Sequence, residues 1–272
     1  MIDREIFNLT DRVVLVTGGS RGIGRAYAEA VAAFGAKVAI AARDQSKIDE
    51  TLEILKRYNV ETLGISADMT SEEDIKRMVD ETVNKFGRID VLFNNAGIAR
   101  PRRMIHEEVV EDFDIVIATD LKGPFQVLKY VLPVMMKQGK GSIINTSSSA
   151  SLRAEKPEVA PVAYSAAKAG VNVMTQVAAQ QYAEYGIRVN CIIPGGHRTE
   201  LGHDMRRPDT PPDPRLMEAM AAAFKGVLED IPLKRGGEPD ELAGLAVLLA
   251  SDASSYITGQ FFIQDGGRSI KH

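Results

Sequence analysis

Val13-Val14-Leu15-Val16-Thr17-Gly18-Gly19-Ser20-Arg21-Gly22-Ile23-Gly24 is the stretch that decides the fold. Its first four residues are apolar and mostly β-branched, which suits a strand buried on both faces of a parallel sheet. Three spaced glycines follow, and then Ala26, Ala30, Val31 and Phe34 recur at helical spacing. Strand, glycine-rich turn and helix, in that order, is the context in which a glycine motif predicts a phosphate site. Gly18 permits the tight turn, Gly22 lets the backbone approach a pyrophosphate, and Gly24 lets the helix pack close to the strand. The N–H groups at the helix start then face the anion. A glycine loop of purely structural use is the competing reading.

The same alternation continues along the chain. Further apolar runs at 37–42, 62–66, 90–93, 142–146, 188–193 and 261–264 read as strands. Helical patterns at 45–58, 71–86, 109–137, 163–185 and 239–250 fall between them. Strands alternating with helices predict one α/β domain over 1–272, a doubly wound Rossmann-type parallel sheet of about seven strands with helices on both faces. Crossovers should be right-handed. Neither an internal repeat nor an interdomain linker interrupts the pattern. Pro208, Pro211, Pro212 and Pro214 make 208–214 too rich in proline for helix, ahead of a helical pattern at 215–228. Residues 196–228 are read as a lid over a substrate, with a surface insertion as the alternative.

Composition narrows the functional classes. The 272 residues carry a net charge of −4, mixed along the chain. No basic tract points to nucleic acid. The single cysteine, Cys191, excludes an intrachain disulfide and lies in an apolar run, where it reads as a small buried residue. Residues 1–10 are charged and look unlike a signal peptide, and no apolar run reaches the ~20 residues that span a bilayer. A cytoplasmic enzyme with no membrane partner and no metal is expected.

The end of the second strand bears on the cofactor. NAD sites usually place an acid there, against the ribose 2′-hydroxyl. This chain has Ala42 followed by Arg43, with Arg21 in the glycine loop. Guanidinium forks suit a 2′-phosphate, so NADP(H) is favoured and NAD(H) is the alternative. Asp44 comes one step late and is placed to cap the next helix.

Tyr164 and Lys168 are the main candidates for chemistry. Four residues apart in a helical run, they share one face. A cation beside a phenol lowers the phenol's pKa and brings proton transfer closer to neutral pH. A helix-surface contact is the bland alternative.

Five motifs in order now carry a resemblance. Residues Thr17 to Gly24, Asn94-Asn95-Ala96-Gly97, the set Ser148, Tyr164 and Lys168, Pro194-Gly195 with Thr199, and Asp265-Gly266-Gly267 resemble those of the short-chain dehydrogenase/reductase family. The likeness runs over nearly the whole chain and is to its one-domain branch, as in 3-oxoacyl-carrier-protein reductases and gluconate dehydrogenases. It implies hydride transfer between NADP(H) and a carbonyl or secondary alcohol. Tyr164 would be the general acid/base, Ser148 would bond the substrate oxygen, and Lys168 would depress the tyrosine pKa and bind the nicotinamide ribose. Ser147 and Ser149 are rivals in register, and the family pattern selects Ser148. The resemblance also implies cofactor contacts from Gly18, Ser20, Arg21, Gly22, Ile23, Gly24, Arg43, Asp68, Met69, Asn95, Ala96 and Gly97. Asn94 would line the same trough. Pro194, Gly195, His197 and Thr199 would stand on the nicotinamide side.

Asp120 departs from the pattern, which usually has asparagine there to serve a proton relay to the lysine. Its carboxylate would partly cancel the lysine's field and shift the pH profile. The alternative function is a cofactor-binding protein with weakened catalysis. The loop between Ser148 and Tyr164 reads as enlarged at 153–158. Arg100, Arg102, Arg103, Arg153, Lys156, His197, Arg198, Arg206 and Arg207 surround the expected mouth. They suggest an anionic substrate such as a sugar acid, oxo acid or acyl-carrier thioester, against the alternative of solvated surface charges. A homotetramer is implied, joined through helices at 109–137 and 163–185 that carry Val116, Phe125, Val173 and Val177.

Overall fold

Seven parallel strands form one sheet in the computed structural model, which describes residues 4–153, 161–199, 201, 226 and 228–270. The strands are β1 (Val13–Thr17), β2 (Lys37–Ala42), β3 (Thr62–Ser66), β4 (Val91–Asn94), β5 (Gly141–Thr146), β6 (Ile187–Pro194) and β7 (Phe261–Gln264). Their order is β3-β2-β1-β4-β5-β6-β7. The chain runs outward from β1 to β3 and then returns to β4 on the other side of β1. The carboxyl ends of β1 and β4 therefore flank the switch point, where ligands of such sheets bind.

Period-two alternation sorts the strand side chains onto two faces. Val14 and Val16 join Val38, Ile40, Val91 and Phe93 on one face, and Leu15 joins Ala39, Ala41 and Leu92 on the other. The first face is covered by α1 (Gly22–Ala33), α2 (Gln45–Leu55) and α7 (Ala243–Ala250). The second is covered by α3 (Glu72–Phe86), α5 (Gly123–Gln138) and α6 (Val162–Tyr182). With both faces covered, the sheet needs continuous apolar strands, as β1 shows by being buried at every position.

One predicted helix is divided. The pattern at 109–137 folds as α4 (Val110–Ile117), a π-helical turn (Ala118–Lys122) and α5. The Gly123 N–H closes the wide turn on the Ala118 carbonyl. A side chain at Gly123 would come within 2.7 Å of the Met69 carbonyl, so only glycine lets the helix approach the loop after β3. Thr119 donates back to the Ile115 carbonyl at 2.8 Å, a bond that bends helices. Such turns often mark functional sites, and this one carries Asp120.

Much of the expected lid lies outside the described residues, as do 154–158 of the enlarged loop, with Lys156, and Arg206 and Arg207.

Candidate active site

The glycine loop joins β1 to α1 in a shape that only glycine permits at several points. Gly18 and Gly22 have φ of +66° and +53°. A Cβ on Gly24 would lie 2.1 Å from the Gly18 carbonyl. Asn95 fastens this turn from β4, its side-chain amide donating to the Thr17 carbonyl at 3.1 Å. Thr17 Oγ1 in turn accepts the Asn95 and Ala96 N–H groups at 2.9 and 3.1 Å. Thr17 thus locks the two strand ends together, a role sequence reasoning missed. The available signal was a hydroxyl at the last position of the strand before the glycines.

The helix behind the loop is left open to an anion. α1 has no side-chain cap and no acid in its first turn. By contrast, α2 is capped by Asp44 and α3 by Ser71. An uncapped N-terminus beside a loop that admits no side chain fits a pyrophosphate. Thr199 reaches the same loop, its Cγ2 3.4 Å from where a Cβ on Gly22 would stand.

At the end of β2, Arg43 is exposed. Asp44 is engaged as the sequence suggested, accepting from Ser46 N, Ser46 Oγ and Lys47 N at 2.9, 2.7 and 3.3 Å. The Ser46 hydroxyl, more than any other group, holds its carboxyl below the usual range. Asp68 follows β3, with one oxygen bonded to Thr70 N and Oγ1, both at 2.8 Å, and Met69 beside it is buried. Asn94 does not line the trough. It is buried and donates to the Pro124 carbonyl and Asn145 Oδ1 at 3.0 and 3.1 Å, so it ties β4 to α5 and β5.

The candidate catalytic set assembles at the end of β5 and the start of α6. Lys168 is buried and donates to the Thr146 carbonyl at 3.2 Å. Its ammonium lies 5.5 Å from the centre of the Tyr164 ring. Ser148 begins a short 3₁₀ turn, and its hydroxyl is a hydrogen-bond partner that lowers the Tyr164 pKa. Ser147 and Ser148 differ in what they bond. Ser147 is buried and committed to the Lys168 carbonyl and Ser151 Oγ at 3.0 and 3.1 Å, bracing α6 rather than facing the phenol.

The electrostatics correct one expectation. Burial pushes the Tyr164 phenol above its ordinary value, against the lowering effect of Lys168, and Asp120 adds to the rise. Tyr164 is only half-buried, which moderates the rise. Burial also lowers the tendency of Lys168 to hold its proton, but Asp120 and Tyr164 together outweigh that and leave its pKa raised. Lys168 therefore stays an ammonium at neutral pH. Cys191 is buried and its thiol is pushed up to about 12 by that burial, so it is no nucleophile.

Past β6, Gly195 N bonds the Gln264 carbonyl at 2.9 Å, and a side chain at Gly195 would strike Asp265. His197 pairs with Gly237, its ring against that glycine, in a cleft also lined by Ile231, Arg235, Glu241 and Asp265. Neither Tyr164 nor Lys168 lines this cleft. Arg235 grips Glu241 with both guanidinium nitrogens at 2.6 and 2.7 Å and holds its carboxyl down to about 2. A depressed carboxyl stabilises the fold above its unfolded value near 4.5, and that support disappears as pH falls toward 2. Protection of the amides at Arg198 and Gly237, bonded across this pairing, relative to their intrinsic exchange, should fall over that acidic window. Unchanged protection would detach the clasp from the loop.

The arginines near the mouth divide by use. Arg103 and Arg100 converge on Asp112 at 2.9 and 3.5 Å, and Asp112 is 3 % exposed. This buried acid between two cations went unrecognised in the sequence, where its signal was the acidic run beginning at Glu107. Arg198 pairs with Glu238 at 3.0 Å. Arg102 is exposed, and its charge acts on Tyr164 to lower the phenol's pKa.

A doubly wound sheet with an anion-ready glycine loop and a tyrosine–lysine pair at one edge defines a nicotinamide-type oxidoreductase. Comparison with known proteins agrees. A family model described as enoyl-(acyl carrier protein) reductase matches residues 18–269. "Glucose 1-dehydrogenase 2" of Bacillus subtilis (strain 168) is 36% identical, over 97% of this chain and 96% of its own. A "3-oxoacyl-[acyl-carrier-protein] reductase" of Synechocystis is 37% identical over 95% and 97%. The crystal structure of levodione reductase superposes with a TM-score of 0.89 at 33% identity, covering 97% of this chain and 100% of that one. The chain belongs to the short-chain dehydrogenase/reductase family and is an oxidoreductase acting on CH–OH or C=O groups.

Proposed function

We propose that the protein is an NADP(H)-dependent oxidoreductase that interconverts a carbonyl and a secondary alcohol, with Tyr164 as the proton donor and acceptor. The observation that carries this reading is the meeting of Tyr164, Lys168 and Ser148 at the sheet edge that also presents the glycine loop. The dinucleotide would supply or accept the hydride. Ser148 would orient the substrate oxygen toward the phenol. Lys168, fixed by the Thr146 carbonyl, would hold a ribose hydroxyl and a positive field beside the phenol. Gly18, Ser20, Arg21, Gly22, Ile23 and Gly24 would cradle the pyrophosphate. Asp68 and Met69 would meet the adenine, and Asn95, Ala96 and Gly97 the trough floor. Pro194, Gly195, His197 and Thr199 would stand on the carboxamide side.

The NADP preference rests on Arg43 and Arg21, and on Asp44 being spent as a helix cap. Charge-assisted bonds are worth ~1.5–3 kcal/mol. Arg43→Ala should therefore raise KM for NADPH by ~10–100-fold and leave that for NADH nearly unchanged. Absorbance assays with both cofactors test it, and a wild-type preference for NADH would overturn it.

The relatives named above act, by their names, on a sugar, an acyl thioester and a dione, which share only the C=O or CH–OH centre. An anionic substrate is the favoured class here, and Arg102 supports it. A screen of carbonyl compounds with NADPH in which only neutral, apolar ketones react would remove it. A homotetramer in the cytoplasm completes the reading. Exposed Phe125 on α5, and Val173 and Val177 on α6, support assembly through those helices, whereas Val116 is buried in the subunit's own core.

A further inference from the structure

Asp120 is a buried acid that the reaction as proposed does not need. The π-helical turn points it inward, and its side chain is fully buried. Oδ1 accepts the Ile98 N–H at 2.9 Å. Oδ2 stands 3.3 Å from Lys168 Nζ and makes no directed hydrogen bond. A Cβ on Gly97 would lie 2.7 Å from that oxygen and 3.2 Å from Nζ, so the glycine clears the space in which the pair meets. Burial pushes the Asp120 carboxyl above its ordinary value, while Lys168, the Ile98 N–H and Arg100 all oppose that rise and favour the carboxylate.

The charges around the phenol can be named. Among the described residues, Lys168 acts on Tyr164 from its own helix, Asp120 from the π turn and Arg102 from the loop after β4, with the Ser148 hydroxyl from the end of β5. Around Lys168 stand Asp120, Tyr164 and, from β6, Cys191. Arg100 is the second cation near Asp120. The ammonium is therefore paired before any substrate arrives, and Asp120 acts on the phenol with the opposite sign.

We propose that Asp120 is a positioning counter-charge which, by pairing with Lys168, keeps Tyr164 protonated near neutral pH and so sets the pH at which this phenol becomes available as a base. This rests on the oxidoreductase reading for its consequence but not for its physics. In reduction, the phenol gives its proton to the oxygen that gains negative charge as hydride arrives at carbon. In oxidation, the phenolate must take that proton. The two directions share one transition state, so the phenol's ionisation fixes the pH dependence of both.

The test is the ionisation of Tyr164 itself, read as tyrosinate absorbance. Wild type minus Tyr164→Phe isolates this phenol from the other six tyrosines. Asp120→Asn minus Asp120→Asn/Tyr164→Phe isolates it without the carboxylate. Asparagine keeps an oxygen for the Ile98 N–H. The phenolate should appear at a pH lower by about one unit or more in the Asp120→Asn background. If Asp120→Asn does not fold, Asp120→Ser, which keeps a short oxygen acceptor, is titrated in the same way. Identical midpoints overturn the proposal. With substrate, the midpoint of the rise of alcohol oxidation with pH should move down by the same interval. An unmoved profile also overturns it. Failure of the acid/base reading of Tyr164 would show separately, as turnover that survives Tyr164→Phe, and would leave the titration result standing.

Discussion

Tyr164→Phe should remove turnover by a factor of at least ~10²–10⁴ while the dinucleotide still binds. The substitution deletes one oxygen and keeps the ring. That ring packs with Phe113, Ile117 and Leu121 around the core of Ile98, Val116, Ala163 and Ala167, and it faces the Lys168 ammonium at 5.5 Å. Both contacts survive, so the fold and the cofactor trough should be unchanged. What disappears is the only phenol that Ser148 and Lys168 both act on among the described residues. Steady-state assays give the loss, and dinucleotide titration by fluorescence gives the retained affinity. Turnover within a few-fold of wild type would exclude Tyr164 as the acid/base.

Gly24→Ala should be as damaging by a different route. The added methyl would stand 2.1 Å from the Gly18 carbonyl and 2.6 Å from Asn95 Nδ2. Neither neighbour can retreat easily. Gly18 N is bonded to the Ala41 carbonyl at 2.7 Å, and Asn95 holds Thr17. Overpacking of this kind costs ~1–3 kcal/mol. In a chain of this size that lowers Tm by ~2–4 °C per kcal/mol. The displaced loop is the proposed pyrophosphate cradle, so dinucleotide affinity should fall by more than ~100-fold. Gly244→Ala is the control: nothing lies within 4 Å of its missing Cβ. In a helix it should be neutral or gain up to ~1 kcal/mol. Equal Tm and affinity in Gly24→Ala and wild type would show that the loop yields.

The strands were legible because a sheet covered on both faces demands unbroken apolar runs, and such runs stand out between glycine and charged turns. All seven read from sequence match the observed strands to within about one residue at most ends. The break in the helix at 109–137 was not legible. It arises where the Gly123 backbone meets the Met69 carbonyl, a contact between segments more than fifty residues apart. The site was legible as a set of residue types but not as a set of roles. Three adjacent serines carry the same hydroxyl, and only packing shows that Ser147 is spent on α6. Likewise Arg100, Arg102 and Arg103 are equivalent as letters. The fold pairs Arg100 and Arg103 with Asp112, and the charge of Arg102 acts on Tyr164.

The wide turn at Ala118–Lys122 also constrains how this gene can change. It inserts one residue between a helix whose inward stripe includes Val116 and another whose stripe is Val127, Leu128, Val131, Leu132 and Met135. Deleting a residue there would restore regular α-helical hydrogen bonding, a local improvement. It would also swing one stripe by about 100° relative to the other. Either the sheet would lose its cover or the acid would leave the lysine. Length in this segment should therefore be far less free to drift than sequence, since a single lost codon would harm packing and chemistry together.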